Sequence, residues 1–429
     1  MQHFFILGKT PDLSIVELRE MFIKKTSKPG ASWRRPGESV LIVDSQKEFD
    51  HEAIIKRLGG TVKVGKIVKQ LNRLQEIEPQ VITQLILNHV SLEKKIYFGF
   101  SPEGGTDPKF CSASYRSEGV FKKLGLAVKK GLKDKGISSR FVTSKDKSLS
   151  SVVVQKNKLV SPRGIELVFI FDREQVFIGQ TLAVQDFKDY SFRDYARPSR
   201  DLRVGMLPPK LAKMMINITG LNFDKVILDP FCGGGTILQE ALLMGYEQVI
   251  GGDINQNMLG GALNNLSWIK AKYNLLDLSR HYQLYRSDAS KLSQVVPHGS
   301  VDGIVTEPHL GPPLTGKENA KQLVRVTSEL SELYVGAFRE FKKVLRKDGV
   351  VVMVWPVFIS NHSRPSPKHP QAGRLSIDIL PQVEKLGFES VLQKEQPDLA
   401  KTTDRGSIIY SRPDQWVARE IFKFRVKKS

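Results

Sequence analysis

Apolar positions along the chain fall into two rhythms. From Asp224 onward, short apolar runs alternate with longer amphipathic stretches: KVILD, TILQEALLMG, QVIGGD, a helical stretch from Asn255, YQLYRSD, VDGIVTE, a long helix around Lys317 to Arg346, and GVVVMVWP. Buried runs of four to eight residues separated by helices predict a parallel, doubly wound α/β sheet. Residues 1–95 follow another rhythm, with HFFILG, LSIVELREMFIKK, SVLIVD, DHEAIIKRLGG and VKVGKIV alternating strand and helix on the scale of a small α+β layer. Residues 96–185 read as a second unit: a basic helix and turn, an alternating strand in SSVVVQKNKL, and a closing hairpin in GIELVFIFDREQVFIGQTLA. Residues 186–212 mix aromatic, basic and proline residues without periodicity and read as a linker. Helix resumes at Pro209, a residue that the first helical turn tolerates, and residues 213–429 form the last domain.

Composition narrows the class. A single core rarely grows past about 250 residues, so 429 residues imply two or three domains. Apolar content of 40% and charged content of 26% are those of a globular chain. Lys and Arg outnumber Asp and Glu by 65 to 45, a net charge of +20 that points to a polyanion, with nucleic acid the first candidate. Residues 101–160 alone hold 13 Lys/Arg against 5 Asp/Glu. Such a run reads either as a solvated helix face or as a nucleic-acid surface, and its recurrence over a helix and the following loop favours the second. No apolar run approaches the roughly 20 residues needed to span a bilayer, and the opening MQHFFILGKTPDL does not read as a signal peptide. Cys111 and Cys232 match no metal or disulfide spacing. The expectation is a cytoplasmic protein with no metal and no membrane partner.

The most specific motif is Asp229-Pro-Phe-Cys-Gly-Gly-Gly-Thr236, between strand KVIL and helix ILQEALLMG. Its glycines remove side chains where backbone meets ligand. Asp253 ends the next strand, where a carboxylate can accept from ribose hydroxyls; Asp288 ends the third, where it can accept from an exocyclic amine; Glu307 ends the fourth, in TEPHLGPP. Any one of these acids reads equally as a helix cap. Four, one after each successive strand, mark the edge where open α/β sheets bind ligands. A dinucleotide oxidoreductase shares this layout, but the glycine run here is not G-x-G-x-x-G.

The DPFCGGGT turn resembles motif I of S-adenosylmethionine-dependent methyltransferases acting on amino groups of bases, and TEPHLGPP sits where that class carries Asn/Asp-Pro-Pro-aromatic. With FFILGKTPDLSIVELREMF, the basic middle segment and RDYARPSRDLRVGMLPPKLAKMMIN, the chain resembles the THUMP-containing tRNA guanine-N2 methyltransferases, which modify guanosine at position 10 of tRNA. The resemblance implies a ferredoxin-like region over 1–95, a THUMP-like region over 96–185 that grips tRNA, and a Rossmann-like domain binding S-adenosylmethionine. Asp229 and Gly233 to Gly235 would hold the methionine part, Asp253 the ribose and Asp288 the adenine, with Phe231 and Ile254 beside them. Glu307 and the Pro308 carbonyl would face the target amine. The loop departs from the family pattern: Glu stands for Asp or Asn, His309 for the second proline, and Leu310 for the aromatic unless His309 takes that place. His309 reads as a stacking surface for a base or as an exposed loop histidine; Cys232 reads as a small buried residue. Lys210 and Arg203 read as phosphate contacts or as solvated linker residues. A DNA amino-methyltransferase and a non-catalytic RNA-binding protein that kept the fold are the alternatives.

Overall fold

The computed structural model describes residues 1–23, 32–46, 48–105, 118–173, 175–200, 206–315, 318–359, 374–395, 399–412 and 415–427. They form two compact units, residues 1–15 with 26–189 and residues 16–25 with 190–429.

The first unit is built on one mixed sheet: β1 (Gln2–Leu7), β2 (Trp33–Gly37), β3 (Val40–Asp44), β4 (Thr61–Leu71), β5 (Ile96–Gly104), β6 (Ser139–Val142), β7 (Gly164–Asp172) and β8 (Gln175–Val184), in the order β2-β3-β1-β4-β8-β7-β5-β6. Helix α1 (Pro11–Ile23) starts here, followed by α2 (His51–Arg57), α3 (Pro79–Leu87), α4 (Glu118–Asp134) and α5 (Ser151–Lys156). The boundary expected at residue 95 does not divide the sheet, because β4 pairs antiparallel with β8 from Lys63↔Val184 to Leu71↔Val176. Leu71, Ile82 and Ile86 share one core with Phe98, Phe169 and Val176, so neither side of that boundary has a complete core of its own. Buried charge inside this sheet is satisfied: Glu166 accepts from Lys63 at 2.5 Å and from the hydroxyls of Ser101 and Thr181.

Two local expectations are corrected. SSVVVQK is the short helix α5 and not a strand, because the Ser150 hydroxyl accepts from Val153 N at 3.3 Å and caps it. The expected linker opens with a helix, α6 (Phe187–Tyr195), whose first turn is held by Asp186 Oδ1 accepting from Lys188 N and Asp189 N. Arg203 and Cys111 lie outside the described residues.

The second unit carries the doubly wound sheet. Its strands are β9 (Val226–Asp229), β10 (Gln248–Asp253), β11 (Tyr282–Arg286), β12 (Val301–Thr306), β13 (Leu345–Ile359), β14 (Arg374–Ser376), β15 (Phe388–Ser390), β16 (Ile408–Tyr410) and β17 (Val417–Val426). Its helices are α7 (Pro209–Thr219), α8 (Thr236–Met244), α9 (Gln256–Tyr273), α10 (Ala320–Val344), α11 (Leu380–Lys385) and α12 (Leu392–Glu395). The strand order is β11-β10-β9-β12-β13-β17-β15; β11 through β13 run parallel, and β17 lies antiparallel against β13. Helix α10 starts at Ala320 because Asn319 and Gln322 close a reciprocal capping box, and Lys317 lies outside the described residues. After β9 the chain winds to β10 and β11 on one side, then returns to β12 and β13 on the other. The crevice between the carboxyl ends of β9 and β12 is therefore a topological switch point. Among the described residues no helix is long and apolar enough to cross a membrane.

Candidate active site

At that switch point a cavity of about 1240 Å³ opens, and Asp229, Asp253, Asp288 and Glu307, from the ends of β9, β10, β11 and β12, all line it. Phe231, Gly233, Ile254, Pro308 and His309 line it too, whereas Gly235 lies one residue behind Gly234, at the cap of α8.

The turn from β9 to α8 is tied on every side. Cys232 N donates to Gly252 O at 2.8 Å and Gly233 N to Asp253 Oδ2 at 2.9 Å, which fixes the turn to β10. Gly235 caps α8 at φ +77°, and a Cβ there would lie 3.2 Å from the Ala262 methyl, so left-handed backbone and close helix packing both require glycine. Asn265 of α9 joins two segments that the sequence did not link. Its Nδ2 donates to Gly234 O at 2.8 Å and to Ser199 O at 3.0 Å, and its Oδ1 accepts from Ser199 N at 2.9 Å. No periodic or motif signal marks Asn265, since a buried polar residue on a helix reads from sequence as an exposed one.

Each acid keeps a structural duty beside its place in the cavity. Asp229 is fully buried, and its Oδ1 accepts from Phe231 N at 3.2 Å and from Thr306 Oγ1 at 2.7 Å; neither bond uses Oδ2. Burial pushes its carboxyl up to about 7, Asp253 and Glu307 push the same way, and the two hydrogen bonds oppose them. Asp253 also accepts from Asn255 N at 2.8 Å. Asp288 caps the following turn through Oδ1, which accepts from Ser290 N and Oγ. Helix capping and cavity lining thus coexist in the same side chains. Ile254, 64% exposed, and half-buried Phe231 give the cavity apolar surface among its acids.

The TEPHLGPP loop is pinned by three elements. Tyr334 of α10 donates its hydroxyl to His309 O at 2.7 Å. Gly311, at φ +95°, passes so close to Val326 and Phe358 that a Cβ would meet Val326 Cγ1 at 3.0 Å. From β17, Arg419 grips Glu307, with Nε to Oε1 at 2.5 Å and Nη2 to Oε2 at 3.4 Å. Pro308 is buried and His309 exposed. Arg419 escaped the sequence reading because it stands 112 residues from its partner. Cys232 is buried, and burial raises its thiol well above the ordinary range. Lys210 places its ammonium 5.1 Å from the centre of the Tyr190 ring.

Comparison with known proteins agrees with this architecture. Residues 197–359 match the family described as RMKL-like, methyltransferase domain. The chain is similar to the tRNA (guanine(10)-N2)-dimethyltransferase of Methanothermobacter thermautotrophicus, with 40% identity over 122 residues, 28% of this chain and 33% of that one. It is likewise similar to the probable tRNA (guanine(10)-N2)-dimethyltransferase of Methanothermococcus thermolithotrophicus, with 33% identity over 144 residues, 33% of this chain and 77% of that one. The chain spans between 33% and 50% of the length of the first three curated relatives it matches. Among solved structures, TrmN from Thermus thermophilus shares the fold at a TM-score of 0.52 and 16% identity, with 99% of this chain and 100% of that chain covered. Matched both in the glycine-turn domain and over most of the length of a curated relative, the chain belongs to the tRNA guanine-N2 methyltransferase family.

Proposed function

We propose that the protein transfers the methyl group of S-adenosylmethionine to the exocyclic amine of a guanine in tRNA. The observation that carries this reading is the convergence of four strand-end carboxylates and a glycine turn on one cavity at the switch point. The residues there fit the donor: Asp229 Oδ2 for its ammonium, Asp253 for ribose hydroxyls, Asp288 for the adenine amine, and the exposed face of Ile254 for the adenine ring. S-adenosylmethionine supplies a methyl group already activated on a sulfonium, so the protein's part is alignment.

The acceptor is the harder half. A guanine amine is conjugated with its ring and is a poor nucleophile. Accepting its two N–H bonds at the Glu307 carboxylate and the Pro308 carbonyl directs the nitrogen lone pair at the methyl carbon. The bound donor would give its methyl group to that nitrogen with the C–S electron pair kept by sulfur, and the amine would lose one proton to water. Folded RNA hides this amine, so the base has to be splayed into the cavity. Exposed His309, at the cavity rim, offers a planar face for stacking. The net charge of +20 and the basic helix α4 support an RNA partner, with residues 96–185 as its THUMP-like contact, in the cytoplasm.

The direct test is labelled methyl transfer from S-adenosylmethionine to unmodified tRNA, with duplex DNA as control and nuclease digestion to find the labelled nucleotide. Label in N2-methylguanosine is the expected result. Label in DNA alone, or none with either substrate, overturns the reading. Asp253→Ala should weaken S-adenosylmethionine binding about tenfold or more, read by calorimetry, since it removes both the proposed ribose contact and the tie to Gly233 N.

A further inference from the structure

We infer that Arg419 is a positioning residue for methyl transfer, acting through Glu307; the inference rests on the function proposed above. Sheet order places β13 between β12 and β17, so Arg419 must reach across a whole strand, roughly two 4.8 Å spacings, to meet an acid at the end of β12. It does so with two nitrogens on the two carboxylate oxygens, and both side chains are largely buried, at 9% and 14% exposure. Glu307 lines the cavity, and Arg419 is not among the residues that do. The guanidinium is therefore bonded to a carboxylate that lines the cavity without being part of the lining itself.

A glutamate at a loop carries three side-chain torsions, and fixing such a side chain costs rotamer entropy. A planar guanidinium fork removes that freedom before substrate arrives and sets the plane of the carboxylate. Tyr334 and the Val326 and Phe358 contacts at Gly311 fix the backbone of the same loop. Arg419 thus completes the loop by fixing its one charged side chain. Two further strands pair with the arginine's backbone: it sits opposite Pro356 of β13 and Tyr410 of β16 in the ladder.

The test is a double-mutant cycle on tRNA. Arg419→Ala is expected to lower kcat about 10- to 100-fold, with KM for tRNA and the dissociation constant for S-adenosylmethionine within twofold of the parent. Arg419→Lys, which keeps the charge but loses the fork, should recover part of kcat. In a Glu307→Gln background, Arg419→Ala should cost nothing further in kcat. Wild-type kcat in Arg419→Ala, an equal loss in the Glu307→Gln background, or no difference between the Lys and Ala variants would overturn the inference. If Arg419→Ala fails to fold, Arg419→Lys and Arg419→Gln carry the same comparison. Absence of transfer by the parent protein sinks the proposed function and this inference together, an outcome distinct from an active parent with an unaffected variant.

Discussion

Glu307→Gln should lower methyl transfer to tRNA on the order of 10²- to 10³-fold while leaving S-adenosylmethionine affinity within twofold. The amide keeps the size of the side chain and one acceptor oxygen but presents an NH₂ to one of the two positions now filled by carboxylate. It therefore repels either the target amine or an Arg419 nitrogen, whichever meets it. Glu307→Ala is the blunter probe. It leaves Arg419, 9% exposed, without its carboxylate, and stranding a buried charge costs about 3–5 kcal/mol. The alanine variant should accordingly lose thermal stability as well as turnover, and the glutamine variant chiefly turnover. Single-turnover transfer and thermal unfolding measured on both proteins separate the two effects. Wild-type single-turnover rate in Glu307→Gln would remove Glu307 from the acceptor site.

Asp229→Asn should change how both stability and cofactor affinity depend on pH. The Asp229 carboxyl is raised from its ordinary 3.8 to about 7, first by burial and then by Asp253 and Glu307. Between those two values the folded protein holds a proton that the unfolded chain has released, so stability falls as pH rises from about 4 to about 7 and levels off above. The penalty at pH 8 is of the order of a few kcal/mol. An asparagine cannot ionise, so the cofactor-free variant should lose that slope and unfold at a higher temperature than the parent at pH 8. S-adenosylmethionine binding should move the other way. In the proposed mode its ammonium favours the ionised carboxylate, so the parent binds more tightly as pH rises through 7 and releases protons on binding. Calorimetry in buffers of different ionisation enthalpy counts those protons. The variant should bind weakly and release none. A parent whose binding heat is independent of buffer below pH 7 would rule out Asp229 as the ammonium's partner.

The sequence made legible what repeats with a period or sits at a fixed place in a strand–helix unit. The carboxyl ends of β9, β10, β11 and β12 were readable because an acid stands at, or within two residues of, the end of each, and the fold brings those acids to one edge. Pairings across long separations were not. Arg419, on an antiparallel strand near the end of the chain, and Asn265, in the middle of α9, have ordinary local surroundings, and only the sheet order and the helix packing bring them to Glu307, Gly234 and Ser199. SSVVVQK misled for a different reason. Three β-branched residues in a row favour a strand, but a serine cap at Ser150 and burial of Val154 outweigh that local preference. One apolar rhythm gives way to another near residue 95, and the sheet continues through that change.

That continuity bears on how the molecule can be divided. Cutting after residue 95 would strip β4 from β8 and leave a ten-residue strand with one edge unpaired, its valine, isoleucine and phenylalanine positions no longer shielded by a neighbour. An exposed edge of that length is a template for pairing with another chain. Strands β1 to β8 therefore behave as one indivisible sheet, and a deletion intended to isolate the proposed RNA-gripping region will remain soluble only if it carries the first three strands and β4 along with it.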